Sequence, residues 1–124
     1  MHEFSRTSQI VEAALGEAEK QHAAKVIEVE VEIGDLTFLG LEQVRFAYKI
    51  LTDKTIAKDS KLTIKQVRGR GKCEACGYDG PLSYLNDPAF HLSIPTFNCP
   101  RCGKPLSVTA GRECVIKRIR IRKQ

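Results

Sequence analysis

The chain has 124 residues, 42% of them apolar, and a formal net charge of +5. That length suits one domain, or one domain carrying a small module, with a core of modest size. No run approaches the ~20 apolar residues of a membrane span, and no basic-then-apolar leader opens the sequence, so a cytoplasmic protein without membrane partners is expected.

The positive balance points toward nucleic acid only until its distribution is considered. Residues 1–70 carry 11 basic and 11 acidic side chains, residues 71–106 carry 3 and 3, and residues 107–124 carry 6 and 1. The whole excess therefore sits at one end, where Arg118, Arg120 and Arg122 alternate with Ile119 and Ile121. That alternation is the wet face of a strand or a local surface for an anionic partner; a phosphate-binding surface gathers cations from several elements.

In chain order, residues 4–22 predict a helix. Phe4, Val11, Leu15 and Ala18 form its apolar stripe with Ile10 and Ala14 beside it, and Glu12, Glu17, Glu19 and Lys20 face away. His22, near its end, is a surface residue where a cation suits the helix dipole. Residues 25–33, KVIEVEVEI, alternate as a half-buried strand: Ile27, Val29, Val31 and Ile33 on one side, Glu28, Glu30 and Glu32 on the other. The three glutamates are a solvated face, not a metal site. Gly34-Asp35 ends that strand, and Leu41, Val44, Ala47 or Tyr48, and Leu51 predict a second helix over 41–52. KLTIKQVR at 61–68 starts as a strand with Leu62 and Ile64 inward, and residues 113–122 predict a last strand with Val115, Ile119 and Ile121 on one face.

The order is helix, strand, helix, strand, a cysteine-bearing insert, strand. It predicts an α+β fold: about three strands with two helices on one face, and an inserted zinc-ribbon-like module. The α+β domain takes residues 1–70 and 107–124, the ribbon residues 71–106. The strands that enter and leave the insert, near 61–70 and 113–122, are expected side by side.

Four of the five cysteines form two pairs, Cys73/Cys76 in CEAC and Cys99/Cys102 in CPRC, each followed by a glycine, Gly77 and Gly103. Two residues between thiolates let both sulfurs reach one ion, and four sulfurs saturate tetrahedral Zn²⁺ without an open position, which makes a structural site. The segment is rich in turn formers and poor in apolar residues, so a cross-link would stabilise it. Two disulfides suit a secreted chain, a redox motif needs only one CxxC, and an iron centre can use the same four ligands. Cys114 is left over as a buried thiol in the last strand.

The chain opens MHEF. The terminal amine of Met1, the amide nitrogen and imidazole of His2, and the amide of Glu3 can close fused rings on one ion, and a planar nitrogen set suits Ni²⁺ or Cu²⁺. Alone, the MH start carries little weight. It gains weight from the segments downstream of it: EIGDLTFLG, TIAKDSKLTI, CxxCG, CPxCG and a closing GREC with a strand. In this order, across essentially the whole chain, the sequence resembles the HypA-type nickel metallochaperones of nickel–iron hydrogenase maturation.

The resemblance implies a nickel-binding α+β domain and a zinc-ribbon domain. It implies Ni²⁺ as transient cargo held by Met1, His2 and Glu3, and structural Zn²⁺ held by Cys73, Cys76, Cys99 and Cys102. It implies two partners, a GTP-hydrolysing nickel chaperone and the hydrogenase large subunit. Some relatives add a carboxylate after the first strand, where this chain has TFLGLE with Gly40. Others use a histidine shortly before the second knuckle; His91, eight residues before Cys99, is here either a surface or packing residue of the zinc module or an auxiliary nickel or zinc ligand. The competing class is a zinc-ribbon module that binds nucleic acid or protein. It accounts for the knuckles and the basic tail but leaves the MHE start without a role. No enzyme is expected: the sequence holds no GxxxxGK loop and no nucleophile with a base in view.

Overall fold

The computed structural model describes residues 2–87 and 92–124. Its elements are α1 (His2–Lys20), β1 (Ala23–Gly34), a 3-10 turn (Asp35–Thr37), α2 (Leu41–Thr52), β2 (Lys61–Val67), β3 (Arg70–Lys72), β4 (Asp79–Pro81), β5 (Ser83–Asp87), β6 (Leu92–Thr96), β7 (Ser107–Ala110) and β8 (Cys114–Lys123). They divide into two compact units. One is Met1–Ile33, Phe38–Lys65 and Cys114–Gln124; the other is Gly34–Thr37 and Gln66–Glu113.

In the first unit α1 buries Thr7, Ile10, Val11, Ala14 and Ala18, the spacing of one helical face. Phe4, expected on this face, is half exposed, because the first turn lies at the end of the packed stripe. The α2 helix buries Val44, Ala47, Tyr48 and Thr52. Against these residues stand Val26, Val29, Val31 and Ile33 of β1, with Leu62, Ile64, Ile116, Ile119 and Ile121 from the flanking strands. Burying each such valine contributes roughly 1.5–3 kcal/mol, so this layer is the main source of the unit's stability.

The sheet order is β2-β1-β8, so β1 lies between the two strands expected to be neighbours. Charge explains the correction. Both β2 and β8 carry cationic outer rows, which repel one another when placed side by side. The acidic row of β1 converts the same charges into pairs. Arg118 meets Glu30 at 3.1 Å and Arg120 meets Glu28 at 3.5 Å, while Glu32 takes Lys117 at 3.8 Å and Lys65 at 3.9 Å.

Two bulges correct the inward faces. Val26 pairs with Ile121 and Glu28 with Arg120, leaving Ile27 without a partner residue, so Val26 rather than Ile27 is fully buried. Likewise Glu30 pairs with Arg118 and Val31 with Ile116. Lys117 is the extra residue, Ile116 packs inward, and Val115, expected inside, is exposed.

The second unit holds a three-stranded sheet ordered β4-β3-β7 and a β5-β6 hairpin. The turn after β1 joins it through two backbone bonds, Gly34 N to Glu113 O at 2.7 Å and Leu36 N to Gly111 O at 2.8 Å. Arg68 stacks over Tyr84, whose hydroxyl reaches Asp35. Among its described residues Leu82 and the sulfur-bearing Cys73 and Cys99 are buried.

Candidate metal centres

Two turns with the same hydrogen-bond pattern build the sulfur cluster. In the first, Cys73 N donates to Tyr78 O at 2.7 Å and Gly77 N to Cys73 O at 2.9 Å; in the second, Cys99 N donates to Lys104 O at 2.7 Å and Gly103 N to Cys99 O at 2.9 Å. Gly77 and Gly103 adopt φ of 82° and 80°. A side chain at either would meet open space, so the left-handed backbone alone is what requires glycine there.

The turns bring Cys73, Cys76, Cys99 and Cys102 together with all four sulfurs within 4.8 Å of one another. Cys73 Sγ lies 3.5 Å from Cys102 Sγ, and Cys76 Sγ lies 3.6 Å from Cys99 Sγ. Four sulfurs at ~2.3 Å around one tetrahedral ion stand about 3.8 Å apart, so the donor set fits a tetrahedral metal. None of the five cysteines is in a disulfide.

Electrostatics point the same way. The backbone N–H of Cys76 is the largest influence lowering the Cys73 thiol. Burial pushes the Cys99 thiol up, yet the backbone N–H groups of Cys102 and Arg101, together with the Cys76 and Cys102 thiols, outweigh it and hold the thiol at about 7. Cys76 moves the other way, to about 11: Tyr78 N–H pulls it down, but burial and the three neighbouring thiols prevail. Four thiolates this close repel, and a bound cation is what lets all of them ionise together.

At the other end of the chain His2 is exposed in the first turn of α1. The first four N–H groups of a helix stand outside its i→i−4 ladder. Those of His2 and Glu3 are among them, so releasing their protons to a metal breaks no ladder bond. The Glu3 carboxylate accepts the backbone N–H of Gly40 at 2.9 Å, at the N-cap of α2. That bond, followed by the bond from its own N–H, holds the Glu3 carboxyl down at about 2. Gly40, in the loop where some relatives carry a carboxylate by the family resemblance, is thus brought to the N-terminal turn. Sequence reasoning missed this contact, and its one available signal was a glycine immediately ahead of a helical stripe.

Met1 and His91 lie outside the described residues. His22 is exposed with φ 57°, ending α1 in a left-handed turn. Cys114, expected buried, is half-buried at the start of β8; burial raises its thiol, and Arg6 partly offsets that.

Comparison with known proteins decides what these centres belong to. The family model described as "Hydrogenase/urease nickel incorporation, metallochaperone, hypA" matches residues 1–121. The chain belongs to the HypA family. The hydrogenase maturation factor HypA of Methanothermobacter thermautotrophicus is 40% identical over 100% of this chain and 99% of its own length. That of Caldanaerobacter subterraneus is 38% identical over 98% and 99%. The solution structure of the Ni metallochaperone HypA from Helicobacter pylori shares the fold, with a TM-score of 0.66 at 20% identity over 98% of each chain. A second HypA solution structure matches with a TM-score of 0.69 at 21% identity, over 100% of this chain and 98% of that one. HypA is a family of nickel metallochaperones in hydrogenase maturation rather than of enzymes. Among the described residues no helix is long and apolar enough to cross a membrane.

Proposed function

We propose that this HypA-family chain binds one Ni²⁺ at its N-terminus and delivers it, in the cytoplasm, to the maturing large subunit of a nickel–iron hydrogenase, working with a GTP-hydrolysing nickel chaperone. The ligands are the Met1 amine, the His2 amide and imidazole, and the Glu3 amide. Cys73, Cys76, Cys99 and Cys102 hold structural Zn²⁺, which when bound supplies the cross-link that their turn-rich segment lacks. The first unit is the nickel-binding domain and the second the zinc-ribbon domain.

The observation that carries this reading is the family match across residues 1–121 to a chain whose His2 lies exposed in the first turn of α1, with the partly exposed Glu3 beside it. The two centres suit opposite tasks. Four convergent sulfurs saturate and retain an ion, whereas nitrogens on an exposed turn release theirs to the next protein. Glu3 keeps its carboxylate on Gly40, and its amide exchanges the bond to that carboxylate for the metal.

Metal analysis of untagged protein supplied with both ions tests the reading. One retained Zn²⁺ and one exchangeable Ni²⁺ with a planar, diamagnetic spectrum is the expected result. No Ni²⁺ at the free N-terminus overturns the carrier function, and a cluster that holds no Zn²⁺ overturns the structural assignment.

A further inference from the structure

The β8 strand closes one side of the first unit's sheet, and its second edge is unpaired among the described residues: the order β2-β1-β8 gives it one neighbour only. An open edge of this length is a template for another strand unless something blunts it. No proline interrupts this edge, since Cys114–Lys123 reads CVIKRIRIRK.

Beside that edge runs a groove between β8 and α1. The apolar lining of one stretch is Ile10, Ala13, Cys114, Val115 and Ile116, with Arg6 and Gln9 beside it. That of the next, about 450 Å³ in volume, is Ala18, Ile116, Ile119 and Ile121, with Glu17 and Gln21 on the α1 side and Lys117 and Arg118 on the β8 side. The inward residues of β8, Ile116, Ile119 and Ile121, are only partly buried, so α1 does not seal them. A strand added here would lay alternate apolar side chains into the groove and complete the core layer.

Its other face would meet cations. Between Cys114 and Lys123 stand Lys117, Arg118, Arg120, Arg122 and Lys123, with no acid. Three of them pair with the glutamates of β1, yet the cations remain the outer partners. Arg118 is 76% exposed against 29% for Glu30, and Arg120 67% against 22% for Glu28. A second copy of β8 would set cations against cations. The one strand that β8 already accepts, β1, alternates valine with glutamate, and the free edge offers the same apolar row and the same cations.

We propose that the free edge of β8 is a docking site for a protein partner that adds an extended segment alternating apolar and acidic residues, by strand addition to the sheet. Main-chain bonds give such docking its affinity and the alternate side chains its selectivity. The site goes beyond nickel carriage and uses none of the proposed metal ligands.

The probe is a fluorescein-labelled peptide KVIEVEVEI, titrated into untagged full-length protein by anisotropy and by amide exchange. Saturable binding with slowed exchange in 114–123 is expected. The peptide with its three glutamates changed to lysine should bind at least ~10-fold more weakly, and so should one N-methylated at alternate amides. R122E/K123E, which removes exposed cations outside the β1 pairs, should weaken the acidic peptide several-fold with an unchanged melting temperature. Equal affinity for the lysine peptide, indifference to N-methylation, or protection confined to other strands overturns the proposal. So does a concentration-dependent dimer whose protected segment is 114–123, since the edge would then belong to a second copy.

Discussion

The carboxylate of Glu3, at the head of α1, accepts the backbone N–H of Gly40, at the head of α2, across 2.9 Å. One anion thereby sits at the positive ends of two helices, where it is stabilised by both, and joins positions 37 apart in the chain. The bond also fixes the orientation of the turn that carries His2.

The first prediction is acid sensitivity of this clasp. The Glu3 carboxyl lies at about 2 rather than its ordinary 4.5. A depressed carboxyl contributes its stability in full above the unfolded value and loses it as pH falls from about 4.5 to about 2. Carbon-detected NMR titration should place the Glu3 midpoint below ~3. Gly40 amide exchange should accelerate across the same window, and in Glu3→Gln it should already be fast at neutral pH. A midpoint near 4.5 would mean that the clasp does not persist in solution.

Nickel binding should depend on protons and on the free amine. Each proton displaced by the metal changes affinity by roughly tenfold per pH unit. Between about pH 7.5 and about pH 6, loss of even one proton gives a ~30-fold fall by the same relation. His2→Ala and a two-residue extension ahead of Met1 should each weaken Ni²⁺ by more than the ~10–100-fold typical of changes to groups that only support a ligand. Zinc content and melting temperature should not change. Calorimetry at the two pH values and the visible spectrum of the extended variant check this, and unaltered affinity in either variant would remove the proposed ligands.

Helices are more legible in this sequence than strands. The 3.6-residue period of Leu41, Val44, Tyr48 and Leu51 locates α2 at 41–52, where it stands. The face of a strand depends on strict alternation, and one extra residue inverts it. Ile27 and Lys117 are such residues, and nothing in composition distinguishes them from their neighbours. Strand order depends on pairing between distant segments, here on the acidic row of β1 meeting the cations of β8, as for Arg118 and Glu30, 88 positions apart. The sulfur cluster is legible because its local spacing already encodes its geometry. The Glu3–Gly40 clasp is not, since neither residue's neighbours signal a partner 37 positions away.

The metal knuckles should be sensitive to glycine replacement even though space is available. Gly77 and Gly103 lie in the left-handed region, and a Cβ there meets nothing within 4 Å. Gly77→Ala and Gly103→Ala should therefore each cost about 1–2 kcal/mol through backbone strain alone. Zn²⁺ release to a chromogenic chelator should accelerate in both, by similar factors, because the two turns share the same hydrogen-bond lengths. Gly16, helical and likewise with nothing within 4 Å of an added Cβ, is the control. A D-alanine at Gly77, introduced by chemical synthesis, should restore the native release rate, which a steric cause would not allow.

Apolar packing, not the charge ladder, should dominate the first unit. Val29 is fully buried at the centre of β1, and truncating it removes methyl groups from a layer that packs two helices on three strands. Val29→Ala should cost roughly 2–3 kcal/mol. Its neighbour Glu30 makes the closest ion pair of this ladder, 3.1 Å to Arg118, but that cation is 76% exposed and screened by water and salt. Glu30→Gln should therefore cost no more than ~1 kcal/mol, and less as ionic strength rises. Urea unfolding followed by far-UV circular dichroism measures both, with Zn²⁺ saturating so that the ribbon unit does not contribute. If Glu30→Gln proves the costlier change, the acidic row of β1 holds the sheet together, and the strand order rests on charge in energy as well as in geometry.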